Sequence, residues 1–331
     1  MARSSHCAAI ALAFLLGGCA GGSLASDPGS PEDPVDPPPP ATPDDQVRNW
    51  IYLYNFNDAV DEENYEPVRL VAGDRPAWSP DGQWIAFERN DTVFVIRTNG
   101  ADERRVQEGR NPSWSPDGKE IAFTNNEGIA VTSSQGGPLV VLVRHGFRPD
   151  TYKDWDMGVG KPSWSPVGDR IAFEHLGDGD MIPAQIFVLD LGDLGVERLT
   201  STTGTQYAES DPAWSPSGDE IAFWSYGYGL ARMHPGGMVR TIYSNFPAVA
   251  YGAKPAWSPT GGDILFNANL YSESAPEIWH VSRAGGTVGV FATGSFNPAW
   301  SPDGNVVAMV RSQHADGTST NRAPPTSAAR E

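Results

Sequence analysis

PAWSPDGQWIAF, residues 76–87, recurs five more times along the chain in close copies. In each copy a short strand that carries a tryptophan leads through Ser-Pro-x-Gly into a strand of Ile-Ala-Phe type. Proline presets the first dihedral angle of such a turn, and glycine tolerates a positive φ at its end. Each copy is therefore predicted to be a β-hairpin. The other copies are PSWSPDGKEIAF (112–123), PSWSPVGDRIAF (162–173), PAWSPSGDEIAF (212–223), PAWSPTGGDILF (255–266) and PAWSPDGNVVAM (298–309).

A second pair of strands is predicted after each of the first five copies, as in VFVIRTNGADERRVQ (93–107). Asn99-Gly100, Gly136-Gly137, Gly236-Gly237 and Gly285-Gly286 fit two-residue hairpin turns. The sixth such pair is found at the front of the chain, in WIYLYNFNDAVDEENYEPVRLVAG (50–73). The sequence therefore predicts an all-β, six-bladed β-propeller whose last blade is closed by N-terminal strands. Closure removes the open sheet edge that a lone terminal hairpin would leave.

The repeated motif resembles the WD40-like repeats of the TolB family of β-propeller proteins, and the resemblance covers residues 50–311. TolB itself carries a folded α/β domain ahead of its propeller, whereas this chain has a proline-rich segment there. Its role in Tol-Pal envelope linkage is therefore not carried over, since one fold serves many functions.

The six repeat tryptophans are predicted to pack between blades rather than to form a ladder for stacking on sugars. Each lies between small residues in the first strand of its motif, a register that fits packing against the neighbouring sheet. They are Trp78, Trp114, Trp164, Trp214, Trp257 and Trp300.

The N-terminus, residues 1–19, has the pattern of a bacterial lipoprotein signal peptide. An apolar run from Ala8 to Leu16 is too short to span a membrane and ends in Leu16-Gly17-Gly18-Cys19, which resembles a lipobox. Lipidation at Cys19 is predicted; the alternative is ordinary cleavage after Ala25. In lipoproteins of this kind, the absence of aspartate after the cysteine implies sorting to the outer membrane. The predicted location is the bacterial envelope, with membrane attachment through the lipid alone.

The remaining segments are predicted from their composition. Residues 20–48 form a disordered, acidic, proline-rich linker, residues 49–311 the propeller, and residues 312–331 a disordered tail. The net charge of −18 disfavours nucleic-acid binding. Both cysteines, Cys7 and Cys19, precede the propeller, so no disulfide or thiolate metal site is expected within it.

Enzyme signatures are mostly missing, and no catalysis is predicted. A Gly-x-Ser-x-Gly motif is absent, and His145, His175, His234, His280 and His314 show no metal-ligand spacing. The alternative function is an extracytoplasmic polysaccharide lyase or hydrolase with a metal in the channel, because propeller oligogalacturonate lyases resemble this repeat and use histidine-bound metal. No cofactor is expected, although Asp178 and Asp180 form a weak candidate calcium loop whose alternative is a solvated turn.

Two groups of residues are predicted to lie on one face of the propeller, where the long connections emerge. The residue before each repeat proline is expected to ring the mouth of the central channel: Arg75, Asn111, Lys161, Asp211, Lys254 and Asn297. Three cations and one anion there indicate an anionic or polar ligand, or a solvated channel. Aromatic residues of the long connections are expected to form a recognition surface: Phe147, Tyr152, Trp155, Tyr207, Phe246, Tyr251 and Tyr271.

The function predicted from these features is that of an envelope-tethered binding or scaffold module. Its long-loop face would bind an envelope protein or glycan, and the chain is expected to be a monomer.

Overall fold

The computed structural model describes nine stretches of the chain. They are residues 48–56, 66–146, 158–177, 183–200, 208–225, 229–236, 239–244, 254–268 and 275–313. Their regular structure forms six antiparallel sheets of four strands each. The prediction of an all-β, six-bladed propeller is therefore confirmed. Within these stretches no helix is long and apolar enough to cross a membrane.

The first five blades each follow the chain from the innermost strand outward. Blades 1 to 3 are β3 (Asp74–Trp78), β4 (Trp84–Arg89), β5 (Thr92–Arg97), β6 (Arg104–Glu108); β7 (Arg110–Trp114), β8 (Glu120–Thr124), β9 (Gly128–Ser133), β10 (Leu139–Arg144); and β11 (Val159–Trp164), β12 (Arg170–His175), β13 (Gln185–Asp190), β14 (Val196–Arg198). Blades 4 and 5 are β15 (Glu209–Trp214), β16 (Ile221–Ser225), β17 (Gly229–Met233), β18 (Arg240–Tyr243); and β19 (Ala256–Trp257), β20 (Asp263–Ala268), β21 (Glu277–Ser282), β22 (Gly289–Thr293).

Blade 6 is built from both ends of the propeller. Its inner strands are β23 (Phe296–Trp300) and β24 (Val306–Gln313), and its outer strands are β1 (Arg48–Asn55) and β2 (Val68–Ala72). β1 pairs with β24 along its whole length, from Arg48 opposite Gln313 to Asn55 opposite Val306. The predicted closure by N-terminal strands is confirmed, and β24 is left with no open edge.

The repeat tryptophans lie in the seams between blades, as predicted. In the seam between blades 1 and 2, Trp114 packs with Ala86 and Val93. Ile85 and Phe87 point the other way and pack against blade 6, so the large and small sides of each sheet interlock. Hydrogen bonds cross several of the seams: Trp78, Trp114 and Trp257 donate their indole N–H to the carbonyl oxygens of Ala299, Ala77 and Ala213 at 3.0–3.1 Å, and the backbone N–H groups of Trp164 and Trp214 donate to the hydroxyls of Ser113 and Ser163.

The Ser-Pro-x-Gly turns have the predicted glycine conformation in five copies but not in the third. Gly82, Gly118, Gly218, Gly261 and Gly304 have φ between 68° and 75°. Gly168 does not have a left-handed φ, and its N–H lies 3.4 Å from the Ser165 carbonyl oxygen. The third copy also differs in the residue between the proline and the glycine, which is Val167. The other five copies have Asp, Ser or Thr there, and that side chain forms a hydrogen bond with the serine hydroxyl. With valine in that place, the Ser165 hydroxyl has no partner among the described residues.

The prediction of two-residue turns in the outer hairpins is wrong where the structure describes them. Gly100, Gly136 and Gly285 each donate their N–H to the carbonyl oxygen three residues earlier, and each has a positive φ. Each is thus the fourth residue of a β-turn and not one of its two central residues, so the loop is longer than two residues. The left-handed glycine lets the chain rejoin the sheet after the turn. The glycine pairs signalled the hairpins correctly but not their lengths. Gly237 lies outside the described residues.

Candidate functional site

The six residues predicted to ring the channel share one unusual backbone conformation. Each precedes a repeat proline, a position that sterically favours extended backbone. Each nevertheless has a left-handed φ: Arg75 (48°), Asn111 (55°), Lys161 (49°), Asp211 (54°), Lys254 (36°) and Asn297 (52°). The pairing register of the inner strand slips around this residue in every blade but blade 5, whose inner strand begins only at Ala256. We call this edge of the propeller the channel-mouth face, and the opposite edge, with the Ser-Pro-x-Gly turns, the turn face.

Side chains from the preceding blade hold four of these strained positions. The backbone N–H of Asn111 donates to Glu88 at 2.7 Å, and that of Asp211 donates to Glu174 at 3.3 Å. The other two bonds join Lys161 N–H to the Thr124 hydroxyl at 3.1 Å and Asn297 N–H to the Asn267 side-chain oxygen at 2.7 Å. All four acceptors directly follow the last residue of their repeat motif, so one position in the motif supports the next blade.

The other two equivalents of that position are Trp224 and Val310, whose side chains contain no oxygen. Around the ring, their blades come directly before the blades of Lys254 and Arg75, two of the three cations at the mouth. The N–H of Arg75 is bound instead by the neighbouring Asp74 carboxylate at 2.6 Å.

Five of the six predicted residues line one central cavity of about 150 Å³. They are Arg75, Asn111, Lys161, Asp211 and Lys254, together with the proline that follows each of them. Asn297 is not among the lining residues. Its side chain is 6% exposed and hydrogen-bonds Asp74 and Asn267. The equivalent position in blade 6 therefore holds the seam between blades instead of facing the channel.

The charges of the mouth are largely paired across the channel. Asp211 lies 3.0 Å from the Lys161 ammonium and 3.8 Å from the Arg75 guanidinium on the far side. Lys161 also contacts Glu174 at 3.0 Å, and Arg75 contacts Glu88 at 3.8 Å. The predicted excess of cations is wrong, because Asp74, Glu88 and Glu174 add three carboxylates. Sequence reasoning missed them because they lie on strand positions next to the motif, where acids usually face solvent.

The pKa values of the paired groups follow from burial and from these contacts. Burial raises the pKa of Glu174, and burial likewise raises that of Glu88. For Asp211, burial opposes ionisation, but Lys161 and Arg75 outweigh it and the pKa falls below its ordinary value. The pKa of Lys161 is raised, because Asp211 and Glu174 outweigh its burial. Asp211 and Lys161 are therefore an ionised pair at neutral pH.

The predicted aromatic surface lies outside the described residues. This holds for Phe147, Tyr152, Trp155, Tyr207, Phe246, Tyr251 and Tyr271, and also for Asp178, Asp180 and Cys19. The strand ends that flank the seven aromatic positions are described, however. They all lie at the channel-mouth face, because antiparallel strands place every second connection on the same edge.

The described histidines are distributed over four blades. His145 follows β10, His175 ends β12, His234 follows β17 and His280 lies in β21. Within the described stretches, no group of three or more His, Cys, Asp or Glu side chains could hold a metal ion. The His145 imidazole forms two hydrogen bonds: its Nε2 donates to the Asn125 carbonyl oxygen, and its Nδ1 accepts from the backbone N–H of Val159. His314 lies outside the described residues.

Glu209 is a buried acid at the channel-mouth face that the sequence does not reveal. Glu209 is the first residue of β15 and is 2% exposed. One of its carboxylate oxygens has no partner among the described residues. Burial raises its pKa to about 7, and a hydrogen bond from Thr200 only partly opposes this shift. In the sequence it looks like any strand-end glutamate, because nothing in the motif indicates that the preceding blade covers it.

Glu209→Gln is expected to make the propeller more stable at pH 8 and to leave it nearly unchanged at pH 5. The folded chain keeps this proton up to about pH 7, whereas the unfolded chain releases it near 4.5. The free energy of unfolding therefore falls as pH rises through that interval, by about 2–3 kcal/mol. Urea unfolding at both pH values measures the difference. Glu108→Gln, at an exposed glutamate, is the control. Parallel pH profiles for Glu209→Gln and the unsubstituted chain would contradict the expectation.

No protein-family model and no curated protein sequence matches the chain. Similar solved structures include a protein assigned as TolB from Agrobacterium tumefaciens, with a TM-score of 0.64 and 21% identity over 81% of this chain and 99% of that one. The fold is that of the TolB propeller. TolB from Acinetobacter baumannii matches with a TM-score of 0.52 and 17% identity, over 81% of this chain and 64% of that one. The resemblance to TolB propellers is thus confirmed at the level of the fold.

An oligogalacturonate lyase from Vibrio parahaemolyticus also has a similar fold, with a TM-score of 0.50 and 13% identity over 74% of this chain and 80% of that one. Since all three identities are low, the likeness to these proteins concerns the fold.

Proposed function

We propose that this chain is a non-catalytic binding propeller that presents its channel-mouth face to a protein partner outside the cytoplasm. The observation that carries the proposal is the ring of left-handed residues before the repeat prolines. All of these backbone positions are strained, and five of their side chains gather around one cavity. Strain of this kind persists where the surrounding structure enforces it and is frequent at binding sites.

The long connections support the same face. The seven aromatic residues predicted for recognition lie in connections whose flanking strands end there. Tyrosine and tryptophan are enriched among the residues that contribute most to protein interfaces, which supports a protein partner. Attachment of the propeller to the envelope through a lipid on Cys19 is part of the proposal and is supported by the lipobox-like sequence.

A channel lyase is the less favoured alternative. None of the described histidines lines the cavity, whose ionisable side chains are lysine, arginine and aspartate. No specific observation in the site favours that chemistry.

Site-specific photo-crosslinking in the native envelope tests the proposal. A photoreactive amino acid at Arg110 or Arg144, both exposed at the channel-mouth face, is expected to give one and the same protein adduct. The same group at Lys119, exposed at the turn face, is the matched control and should give none. Combined alanine substitution of Tyr152 and Trp155 should reduce the adduct at least tenfold. Adducts from Lys119 alone, or no protein adduct from either face, would contradict the proposal.

A further inference from the structure

Lys254 is the one cation of the central cavity that lacks a carboxylate partner among the described residues. Arg75 and Lys161 each have two carboxylates within 4.0 Å. Among the described residues the Lys254 ammonium has one polar contact, a hydrogen bond to the Pro76 carbonyl oxygen at 3.3 Å. An ammonium group carries three N–H donors. The bond to Pro76 uses one of these donors, so the other two N–H groups of Lys254 can reach a ligand in the cavity that its side chain lines.

The carboxylates around Lys254 are already engaged elsewhere. Asp211 is bound by Lys161, by Arg75 and by the Ser210 hydroxyl. The remaining acids are held by backbone N–H groups, amide side chains or other cations: Asp74 by Arg75 N–H, Asn49 and Asn297; Glu88 by Asn111 N–H and Arg75; Glu174 by Asp211 N–H and Lys161. Each of these four carboxylates therefore already accepts from a backbone N–H group of the ring or contacts one of its other cations.

The rest of the cavity wall is largely apolar. Five proline rings surround it: Pro76, Pro112, Pro162, Pro212 and Pro255. Ala77 and Ala213 lie between them, together with Ser113 and Ser163, whose hydroxyls accept from the backbone N–H groups of Trp164 and Trp214. Its volume of about 150 Å³ is much larger than one water molecule. An apolar cavity of this size accommodates about six non-hydrogen atoms. Lys254 shares this wall with Arg75 and Lys161, which are both paired with Asp211. An ammonium that keeps free donors beside proline rings is complementary to a small anion that has an apolar body.

We propose that the central cavity binds a small aliphatic monocarboxylate of about six non-hydrogen atoms, with its carboxylate on Lys254 and its alkyl chain against the proline rings. This goes beyond the proposed function, because the ligand is a small molecule beneath the face assigned to the protein partner. A carboxylate is favoured over phosphate, since phosphate has no apolar part to place against the prolines. The two proposals can fail separately, because each is tested by a different ligand and a different method.

Binding is expected to be linked to proton uptake. Burial and the neighbouring Arg75 lower the pKa of Lys254 to about 7, and Asp74, Glu88 and Asp211 only partly oppose this shift. Lys161 and Glu174 complete the charged groups around the cavity and are paired with each other. Near pH 7 a large part of the lysine is therefore neutral in the free protein. A bound carboxylate favours the ammonium form, so about half a proton is taken up for each ligand at that pH.

Calorimetric titration of the full chain with butyrate, which has six non-hydrogen atoms, tests the proposal. Butyramide has the same size but no charge and is the ligand control. Butyrate is expected to bind one site with a Kd below about 1 mM, which a ligand of this size can reach. Butyramide should bind at least tenfold more weakly. Titrations at pH 7 in two buffers of different ionisation enthalpy should show the proton uptake.

Lys254→Met removes the charge and keeps most of the side-chain stem, and it should weaken butyrate binding at least tenfold. Lys119→Met, at an exposed lysine of the turn face, is the matched control and should leave the Kd unchanged. If Lys254→Met does not fold, the comparison of butyrate with butyramide on the unsubstituted chain still decides the matter. Equal binding of butyrate and butyramide, tighter binding of inorganic phosphate than of butyrate, or no butyrate binding at 20-fold above about 1 mM would each overturn the proposal.

Discussion

Deletion of residues 48–72 is expected to abolish cooperative folding of the whole propeller. These residues carry β1 and β2, the outer strands of blade 6. They place Ile51 and Tyr52 in the core beside blades 1 and 5, and Val71 packs with Ile51. Loss of three such side chains costs about 10 kcal/mol, which is comparable to the entire free energy of unfolding of an ordinary domain. The deletion also leaves β24 with an unpaired edge, which promotes aggregation.

Thermal unfolding followed by circular dichroism and tryptophan fluorescence measures this effect. The shortened chain should show no cooperative transition and should aggregate at micromolar concentration. The matched control is deletion of residues 20–45, which belong to the segment predicted from its composition to be a disordered linker and should leave the Tm within about 2 °C. A chain without residues 48–72 that unfolded cooperatively within about 5 °C of the parent would show that blade 6 does not need its N-terminal strands.

The architecture could be predicted from the sequence because the residues of each repeat determine its own turn and strands. Turn residues, strand alternation and the position of the tryptophan agree in every copy, and the unpaired last hairpin required a partner from the other chain end. The prediction failed where one side chain departs from the motif. At Gly168, the preceding Val167 cannot bond the Ser165 hydroxyl, so the local turn differs although the blade does not.

The ring around the channel could be predicted in position but not in chemistry. A fixed place in the motif puts Arg75, Lys161 and Asp211 at equivalent points of adjacent and opposite blades. Their partners, Glu88 and Glu174, belong to the neighbouring strand and are brought inward by the left-handed residues of the next blade. Hydrogen bonds between blades depend on three-dimensional closure, which a single repeat does not encode. For the same reason nothing in the sequence indicates that Lys254 has no carboxylate partner among the described residues.

Trp114→Ala is expected to have the largest effect of any single substitution considered for this chain. Trp114 is 8% exposed and packs with Ala86, Val93 and Val106 in the seam between blades 1 and 2. Loss of a buried tryptophan costs about 3–5 kcal/mol, which lowers the Tm by roughly 6–20 °C in a domain of this size. Differential scanning calorimetry measures the shift. A fall of less than about 2 °C would mean that the seam does not depend on the indole ring.

Phenylalanine in place of tryptophan separates ring packing from the hydrogen bond between blades. The indole N–H of Trp114 donates to the Ala77 carbonyl oxygen at 3.0 Å, whereas the equally buried Trp214 has an indole N–H with no partner among the described residues. Both phenylalanine variants lose a similar part of the ring, and phenylalanine keeps an aromatic face for the Arg170 guanidinium that lies over Trp214. Only Trp114→Phe loses a hydrogen bond. It should therefore cost about 1 kcal/mol more than Trp214→Phe. Equal costs would mean that packing alone holds the blades together at this seam, and that the bonds repeated around the ring follow from the packing without adding to it.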